Sequence, residues 1–493
     1  LRVAVLGAGI AGLAAAWELR ADAEVTVIDP GGIGGRIRTT DFDGIPVDEG
    51  ADAFITRTPS ALQLCAELGL TDELVAPAAG RTLLWVGGRL RPVPEGLVLG
   101  VPARLGPLFR SGVLSPAGIL RAGLDLALPP TPIGEDIGVG ELVTARFGRE
   151  VATRLVEPLL GTIHAARIDG LSAAVTAPQL LAAARRDRSL LRALRRPPAS
   201  AAGGRVTPAS PGSHPGSGPL FLAPRSGMGR LVERLEEQLR AGGVRFEALR
   251  AGRVGRSADG GVSVEGVGRF DRAVLAVEAP AAAEALGPLA PAGLARIEAT
   301  SVVLVTLAWD EADVGVPPGV NGVLVPPGED RLMTACSIGS AKWPHWRRPG
   351  RVLLRVSVGR QGDRRAEDLD DSELVDRLAA ELRAALGSRG GPAAARVSRW
   401  PGAFTHYGVG HPGLIAGIRA ELSRRLPGVA LAGASYDGVG VPACIASGRA
   451  AASGLRPDHP GPDHPGPDHP GPGSPQPDGA GARGRSGPGL PAG

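Results

Sequence analysis

The spacing of apolar and polar positions changes several times along the chain, and each change predicts an element. Arg2–Leu6 (RVAVL) is a short apolar run of the kind a buried strand makes. Gly12–Leu19 follows with helical spacing, and Glu24–Asp29 (EVTVID) is a second strand, so the chain opens on a βαβ unit. Leu105–Leu128 and Ile137–Leu194 are mostly helical in pattern. Leu231–Ala241 (LVERLEEQLRA) predicts an amphipathic helix. Val244–Phe246, Arg253–Arg256, Val262–Val267 and Arg272–Val277 predict strands separated by glycine turns. Ser301–Trp309 (SVVLVTLAW), Arg351–Val358 (RVLLRVSV) and Val429–Ala432 predict further strands, and Ser372–Leu386 a helix with an acidic first turn. Alternating strands and helices make the fold class α/β.

Two stretches lack any period. Pro197–Pro219 is expected to be a flexible surface loop. The segment from Pro457 repeats PDHPG three times and is expected to be a disordered tail, since it cannot bury enough apolar surface to offset chain entropy. Its His459, His464 and His469 are candidate weak metal ligands, with a solvated low-complexity tail as the plainer reading.

Composition narrows the functional classes. With 493 residues, two or three domains are expected. A net charge of +4 and 3% aromatics exclude an electrostatic or stacking nucleic-acid binder. Cys65, Cys336 and Cys444 are odd in number and far apart, which argues against a disulfide framework or a zinc site and fits a reducing, cytoplasmic setting. No run of about 18 apolar residues predicts a membrane span. The apolar start of the chain reads as strand, turn and helix rather than a signal peptide. Lys342 is the only lysine beside 53 arginines, a bias that makes the basic pI uninformative about partners.

The main chemical signal is Gly7-Ala8-Gly9-Ile10-Ala11-Gly12, directly after a strand and opening a helix. In a dinucleotide site the first glycine permits a tight turn, the second lets backbone approach a pyrophosphate, and the third lets helix pack on strand. The helix N-terminus offers free N–H groups to phosphate. Asp29, at the end of the second strand beside Pro30, is the expected acceptor for ribose hydroxyls.

Further motifs separate FAD from NAD. Gly31–Arg36 (GGIGGR), with Gly35 and Arg36, resembles the second signature of glutathione-reductase-like flavoproteins, especially the amine oxidase and desaturase branch. Val47–Phe54 (VDEGADAF), with Gly50, Ala51, Asp52 and Ala53, resembles the segment that passes the flavin there. Leu431–Ser435 (LAGAS), with Gly433, resembles the turn that approaches ribityl and pyrophosphate. Gly438-Val439-Gly440-Val441 would bring backbone to the isoalloxazine and open a helix whose N-terminus can stabilise negative charge on the ring. Val254 would meet the adenine through its backbone, as in related proteins.

Gly433–Gly448, Thr334–His345 (TACSIGSAKWPH), Leu155–Ser172 and Arg399-Trp400 together resemble the porphyrinogen oxidases, in particular the type found in Gram-positive bacteria, from Arg2 to about Leu455. Asp29 in place of the commoner Glu and Arg36 in place of Lys are the departures. The resemblance implies an FAD-binding Rossmann-like domain (1–75, 220–290 and 399–456), an α+β substrate domain (76–104 and 291–398) and a helical, membrane-facing substrate subdomain (105–196). It implies Trp400 as a cofactor contact. It also implies oxidation of coproporphyrinogen III to coproporphyrin III with three O2 and three H2O2, in haem biosynthesis.

Such a reaction needs no nucleophile or metal, since the cofactor carries the chemistry and the protein orients and shields it. His164 is expected to be a structural histidine, with a place near the flavin as the alternative. A substrate with four propionates calls for cations at its rim, and Arg57 and Lys342 are the candidates. Arg185, Arg186, Arg188, Arg192, Arg195 and Arg196, around Leu190, Leu191 and Leu194, form a basic run that fits either a solvated helix or peripheral contact with anionic lipid or a partner enzyme; a ferrochelatase is the candidate partner. The rival readings are a protoporphyrinogen IX oxidase, a flavin amine oxidase and a non-catalytic FAD-binding porphyrin carrier. The amine oxidase is disfavoured because Leu304 occupies the strand position where that family places its lysine.

Overall fold

The computed structural model describes residues 1–196 and 218–456. All of the expected loop except Gly218 and Pro219, and the whole repeat segment with its three histidines, lie outside the described residues.

The strands Arg2–Leu6, Glu24–Ile28, Arg245–Glu247, Arg272–Leu275 and Val429–Leu431 form one parallel sheet. Arg2–Leu6 lies at its centre, in register with Glu24–Ile28 on one side and Arg272–Leu275 on the other. The inner strands are continuously apolar because both faces are covered. Helices Ile10–Leu19, Gly229–Ala241 and Val441–Ser453 pack on one face. A three-stranded ribbon (Val254–Arg256, Val262–Val264, Gly268–Phe270) and helices Ala279–Leu286 and His411–Arg425 pack on the other.

The two helices that begin at glycine loops touch each other directly. A methyl group on Gly448 of Val441–Ser453 would stand 2.0 Å from the Ala11 carbonyl oxygen, so the contact requires glycine. Helix Gly229–Ala241 starts two residues before the expected Leu231. Its first N–H groups find acceptors far away in sequence: Met228 donates to Asp48 Oδ1 (2.8 Å) and Gly229 to Thr39 Oγ1 (2.7 Å). The expected Ser372–Leu386 helix begins at Asp371, because Asp370 caps it in a reciprocal box with Glu373.

The second layer is a seven-stranded mixed sheet in the order Ala394–Thr405, Ala299–Asp310, Arg351–Val358, Met333–Ile338, Val320–Leu324, Arg81–Val86, Arg89–Pro92. Helix Asp371–Leu386 fills one of its faces with Leu374, Leu378 and Leu382. The strand Ala394–Thr405 runs across the expected division between 398 and 399. It carries Pro401 and lies at the sheet edge, where a missing N–H is tolerated.

The helical region is built from short helices around its own apolar core. Ala152–Gly161 forms wide π-helical turns around the internal Pro158, whose missing N–H would break an α-helical ladder. Asp125, fully buried, accepts from Arg146 Nε (2.6 Å), Ser189 Oγ (2.7 Å) and Leu191 N (2.9 Å), joining three helical segments.

A candidate dinucleotide site between two helix N-termini

The three glycines of the opening motif have three different settings. Gly7 has φ +105°, and a methyl group there would be 2.4 Å from the Ala276 carbonyl oxygen of the neighbouring strand. On Gly12 it would be 1.9 Å from the Gly7 oxygen, so helix and strand meet without side chains between them. On Gly9 it would meet nothing within 4 Å: this backbone borders open space. Ala8, Ile10 and Ala11 are buried around it. A cradle with two closed corners and one open main-chain edge fits a pyrophosphate.

The Gly31–Arg36 loop folds onto the first one. Gly34 donates to the Ala8 oxygen (2.9 Å), and a methyl on Gly35 would be 3.3 Å from Gly9 Cα. Asp29 joins the loops, accepting from Ala8 N at 2.8 Å and from Gly31 N at 2.7 Å, while Pro30 is exposed. Its carboxylate keeps acceptor capacity beyond these two bonds for a ribose hydroxyl. Arg36 pairs with Glu278 (2.6 Å) and reaches the Gly402 oxygen (3.3 Å). Its guanidinium thus has a protein counter-ion beside the loop in addition to any phosphate. Val254 is buried on the edge strand of the three-stranded ribbon.

The C-terminal loop reaches the same place. Gly433, Gly438 and Gly440 all have positive φ, and Val439 lies half-buried between the last two. Gly433 N donates to Ser447 Oγ (2.8 Å), Ser447 donates to Asp437, and Asp437 is clamped by Arg419 (2.7 Å). Tyr407 OH donates to the Ala434 oxygen at 2.6 Å. Helix Val441–Ser453 therefore begins, with Gly440 as its cap, alongside the helix that begins at Ile10, and two sets of free N–H groups border one site.

Val47–Phe54 is held between the two sheets. A methyl on Gly50 would be 2.0 Å from the Arg36 oxygen. Trp400 Nε1 donates to the Glu49 oxygen (3.1 Å), Arg396 to the Val47 oxygen (3.1 Å), and Arg355 to the Gly50 oxygen. Asp52 accepts from Lys342 Nζ (2.9 Å) and Trp343 Nε1 (3.1 Å), with Arg355 Nη1 at 3.7 Å. Burial alone would raise the Asp52 carboxyl. Lys342 and Arg355 outweigh that and hold it well below the usual carboxylate range. Asp48, 1% exposed, goes the other way. Burial pushes it up to about 6, against hydrogen bonds from Thr39 and Met228, and its Oδ2 has no partner among the described residues. Ala51 and Ala53 are half-buried against the nucleotide core.

The rim candidates separate. Arg57 is exposed. Lys342 is committed to Asp52 and lies 5.2 Å from the Trp343 ring centroid, so it is a tether for the Gly50–Ala53 segment rather than a free cation. The sequence offers no signal that Asp52 meets Lys342, Trp343 and Arg355, since Asp52 lies 290 positions from Lys342. His164 is buried edge-on to Tyr407 with ring centroids 6.0 Å apart, and burial depresses its imidazole to about 4. It is a neutral packing group one residue removed from the Ala434 turn. Half of the basic run is tied back: Arg185 binds the Gly134 and Glu135 oxygens, Arg186 those of Ala193 and Arg196, and Arg195 that of Ala103. Among the described residues no helix is long and apolar enough to cross a membrane, and no His/Cys/Asp/Glu group is arranged to hold a metal.

The profile of the family described as flavin containing amine oxidoreductase matches residues 10–455. The chain is 33% identical over 467 residues to the coproporphyrinogen III oxidase of Bacillus subtilis (92% of this chain, 97% of that one). It is 35% identical over 483 residues to the protein of that name from Propionibacterium freudenreichii (90% and 89%). A crystal structure named for a protoporphyrinogen oxidase of Exiguobacterium superposes with a TM-score of 0.81 at 28% identity, covering 92% of this chain and 98% of the other. The cradle fits FAD, the two sheets have the arrangement of this flavoprotein class, and the chain belongs to the flavin containing amine oxidoreductase family.

Proposed function

We propose that this flavin-dependent oxidoreductase converts coproporphyrinogen III to coproporphyrin III, passing six electrons to three O2 and giving three H2O2. The observation that carries the reading is the near end-to-end likeness to proteins of that name, at 33–35% identity. FAD would supply acceptance of two electrons at a time from substrate C–H bonds and their delivery to O2. The chain's own work is to grip and to shield. Two helix N-termini and the glycine loops hold the nucleotide. The network of Asp52, Lys342 and Arg355 fixes the segment expected to border the reactive ring. Trp400, Val302, Ala403 and Ala165 form an apolar cluster next to that segment, suited to one face of a macrocycle. Becoming aromatic drives the substrate's oxidation, so little acid–base help is required, and the neutral, packed His164 accords with that.

Leu304 stands on the strand Ala299–Asp310 where an amine oxidase would need its lysine, which supports the porphyrinogen reading. Three free thiols accord with a reducing cytoplasm, and a ferrochelatase is the natural recipient of the product within this proposal.

Anaerobic mixing with coproporphyrinogen III is expected to bleach the flavin. An unchanged spectrum would make the protein a carrier. In air, porphyrin fluorescence and peroxide followed together should favour coproporphyrinogen over protoporphyrinogen IX. A clear preference for the latter would overturn the substrate assignment.

A further inference from the structure

Beyond the apolar cluster, where the π-helical segment meets the seven-stranded sheet, lies a small recess lined by Glu157, Gly161, Thr162, Ala166, Thr334 and Arg360, with Gly359 at its edge. It is neither a simple ion pair nor a dry void. Glu157 and Arg360 both face it, yet they do not pair with each other within 4.0 Å among the described residues. The only described bond of the Arg360 side chain is a long one, Nη2 to the Val325 oxygen at 3.4 Å. Glu157 and Asp363 are the opposite charges that act on Arg360, but neither stands within ion-pair distance of it, and Asp363 is bound by Arg365 at 2.7 Å. A half-buried guanidinium with most of its donors unused calls for an anion. Thr334 Oγ1 spends its proton on the Ser357 oxygen (2.9 Å), whereas Thr162 has no described side-chain bond and can donate. The space holds about one water, so an entering group must be no larger than the tip of a carboxylate.

The position also fits. Ala166 lines the recess, and Ala165 belongs to the apolar cluster with Val302, Ala403 and Trp400. Trp400 in turn contacts the Glu49–Gly50 backbone. An apolar wall thus runs from the flavin-facing segment to a charged end.

We infer that this recess is a carboxylate subsite that takes one propionate of the macrocycle, Arg360 and Thr162 donating to the oxygen that enters it, with Glu157 alongside. The inference rests on the substrate reading above. Burial raises the Glu157 carboxyl, against Arg167 and Arg360 and with Asp169, so a proton on Glu157 is within reach when a second carboxylate arrives. Binding is then linked to proton uptake. The charged groups facing Glu157 are Arg167, Asp169 and Arg360; Asp363 and Arg365 flank Arg360.

The test uses flavin-loaded full-length enzyme and steady-state oxidation of coproporphyrinogen III against pH. Arg360→Met should raise KM about tenfold or more with kcat nearly kept, and Arg360→Lys should recover part of it. Wild-type KM should climb with pH, while Glu157→Gln, which keeps an N–H donor there, should show a flatter KM profile. With the tetramethyl ester of the substrate, wild type and Arg360→Met should converge. Equal KM values for wild type and Arg360→Met on the free acid would overturn the inference. So would an equal penalty on the ester, or matched losses of flavin content and melting temperature that account for the KM change. If wild-type flavin is not reduced by coproporphyrinogen at all, it is the substrate reading that fails.

Discussion

The nucleotide half and the macrocycle-facing half of this molecule solve their tasks with different parts of the polypeptide. The cradle at Gly7–Gly12, Gly34–Gly35 and Gly433–Gly440 is made of main chain, and side chains are kept out of it: methyl groups at Gly7, Gly12 or Gly448 would stand 1.9–2.4 Å from carbonyl oxygens. The other half is made of side chains that cross long distances in sequence, such as Lys342 to Asp52, Arg355 to Gly50 and Arg396 to Val47. A backbone site needs the same short motif in any chain that builds it. A side-chain site is defined by partners that only the finished fold brings together.

Substitutions that add atoms should therefore be worst in the first half, and those that remove atoms worst in the second. The largest effect on cofactor binding is expected from Gly12→Ala, whose new methyl has a backbone oxygen at 1.9 Å. The strain of about 1–3 kcal/mol falls on the loop that grips the cofactor, and flavin content of the purified protein, read from its visible absorbance, should drop at least about tenfold. Asp125→Ala in the helical region removes the acceptor of a buried arginine. It should cost about 3–5 kcal/mol in urea unfolding while the folded protein still carries its flavin. Loss of flavin in proportion would erase the distinction between the halves.

Asp48 sharpens the comparison through pH. Its folded value, about 6, lies above the ordinary 3.8, so its contribution favours the fold below about pH 4 and is lost as pH rises through about 6. Asp48→Asn keeps the acceptor for Thr39 and Met228 and cannot ionise. Relative to wild type it should gain about 2–3 kcal/mol between pH 4 and pH 7, seen as a flatter unfolding midpoint across that range. Tyr407→Phe is the mildest case. It deletes one bond to the Ala434 oxygen, should cost about 1 kcal/mol, and should loosen flavin retention only slightly.

The same division explains what was legible in the sequence. The βαβ opening, the amphipathic helix Gly229–Ala241 and the glycine loops could be read because their signals are local. The strands Arg81–Val86, Val320–Leu324 and Met333–Ile338 are not predictable from pattern alone, since short apolar runs do not separate strand from helix. Ala394–Thr405 is hard to read because polar Arg396 and Ser398 face the Val47–Gly50 segment while polar Arg399 stands on the opposite face and Pro401-Gly402 interrupts the run, so no apolar–polar alternation shows. The early start of Gly229–Ala241 depends on Asp48 and Thr39, and no local cap announced it. Lys342 stood out by composition, yet its partner Asp52 lies 290 positions away.

The clasp of Gly448 against Ala11 has a bearing on biogenesis. Helix Ile10–Leu19 waits for the distant helix Val441–Ser453 before its loop is completed, and the sheet strand Val429–Leu431 is made just before that helix. Pairings so remote along the chain form slowly. A nascent chain halted before helix Val441–Ser453 is exposed should remain colourless, which makes acquisition of the yellow pigment a report that this helix has docked.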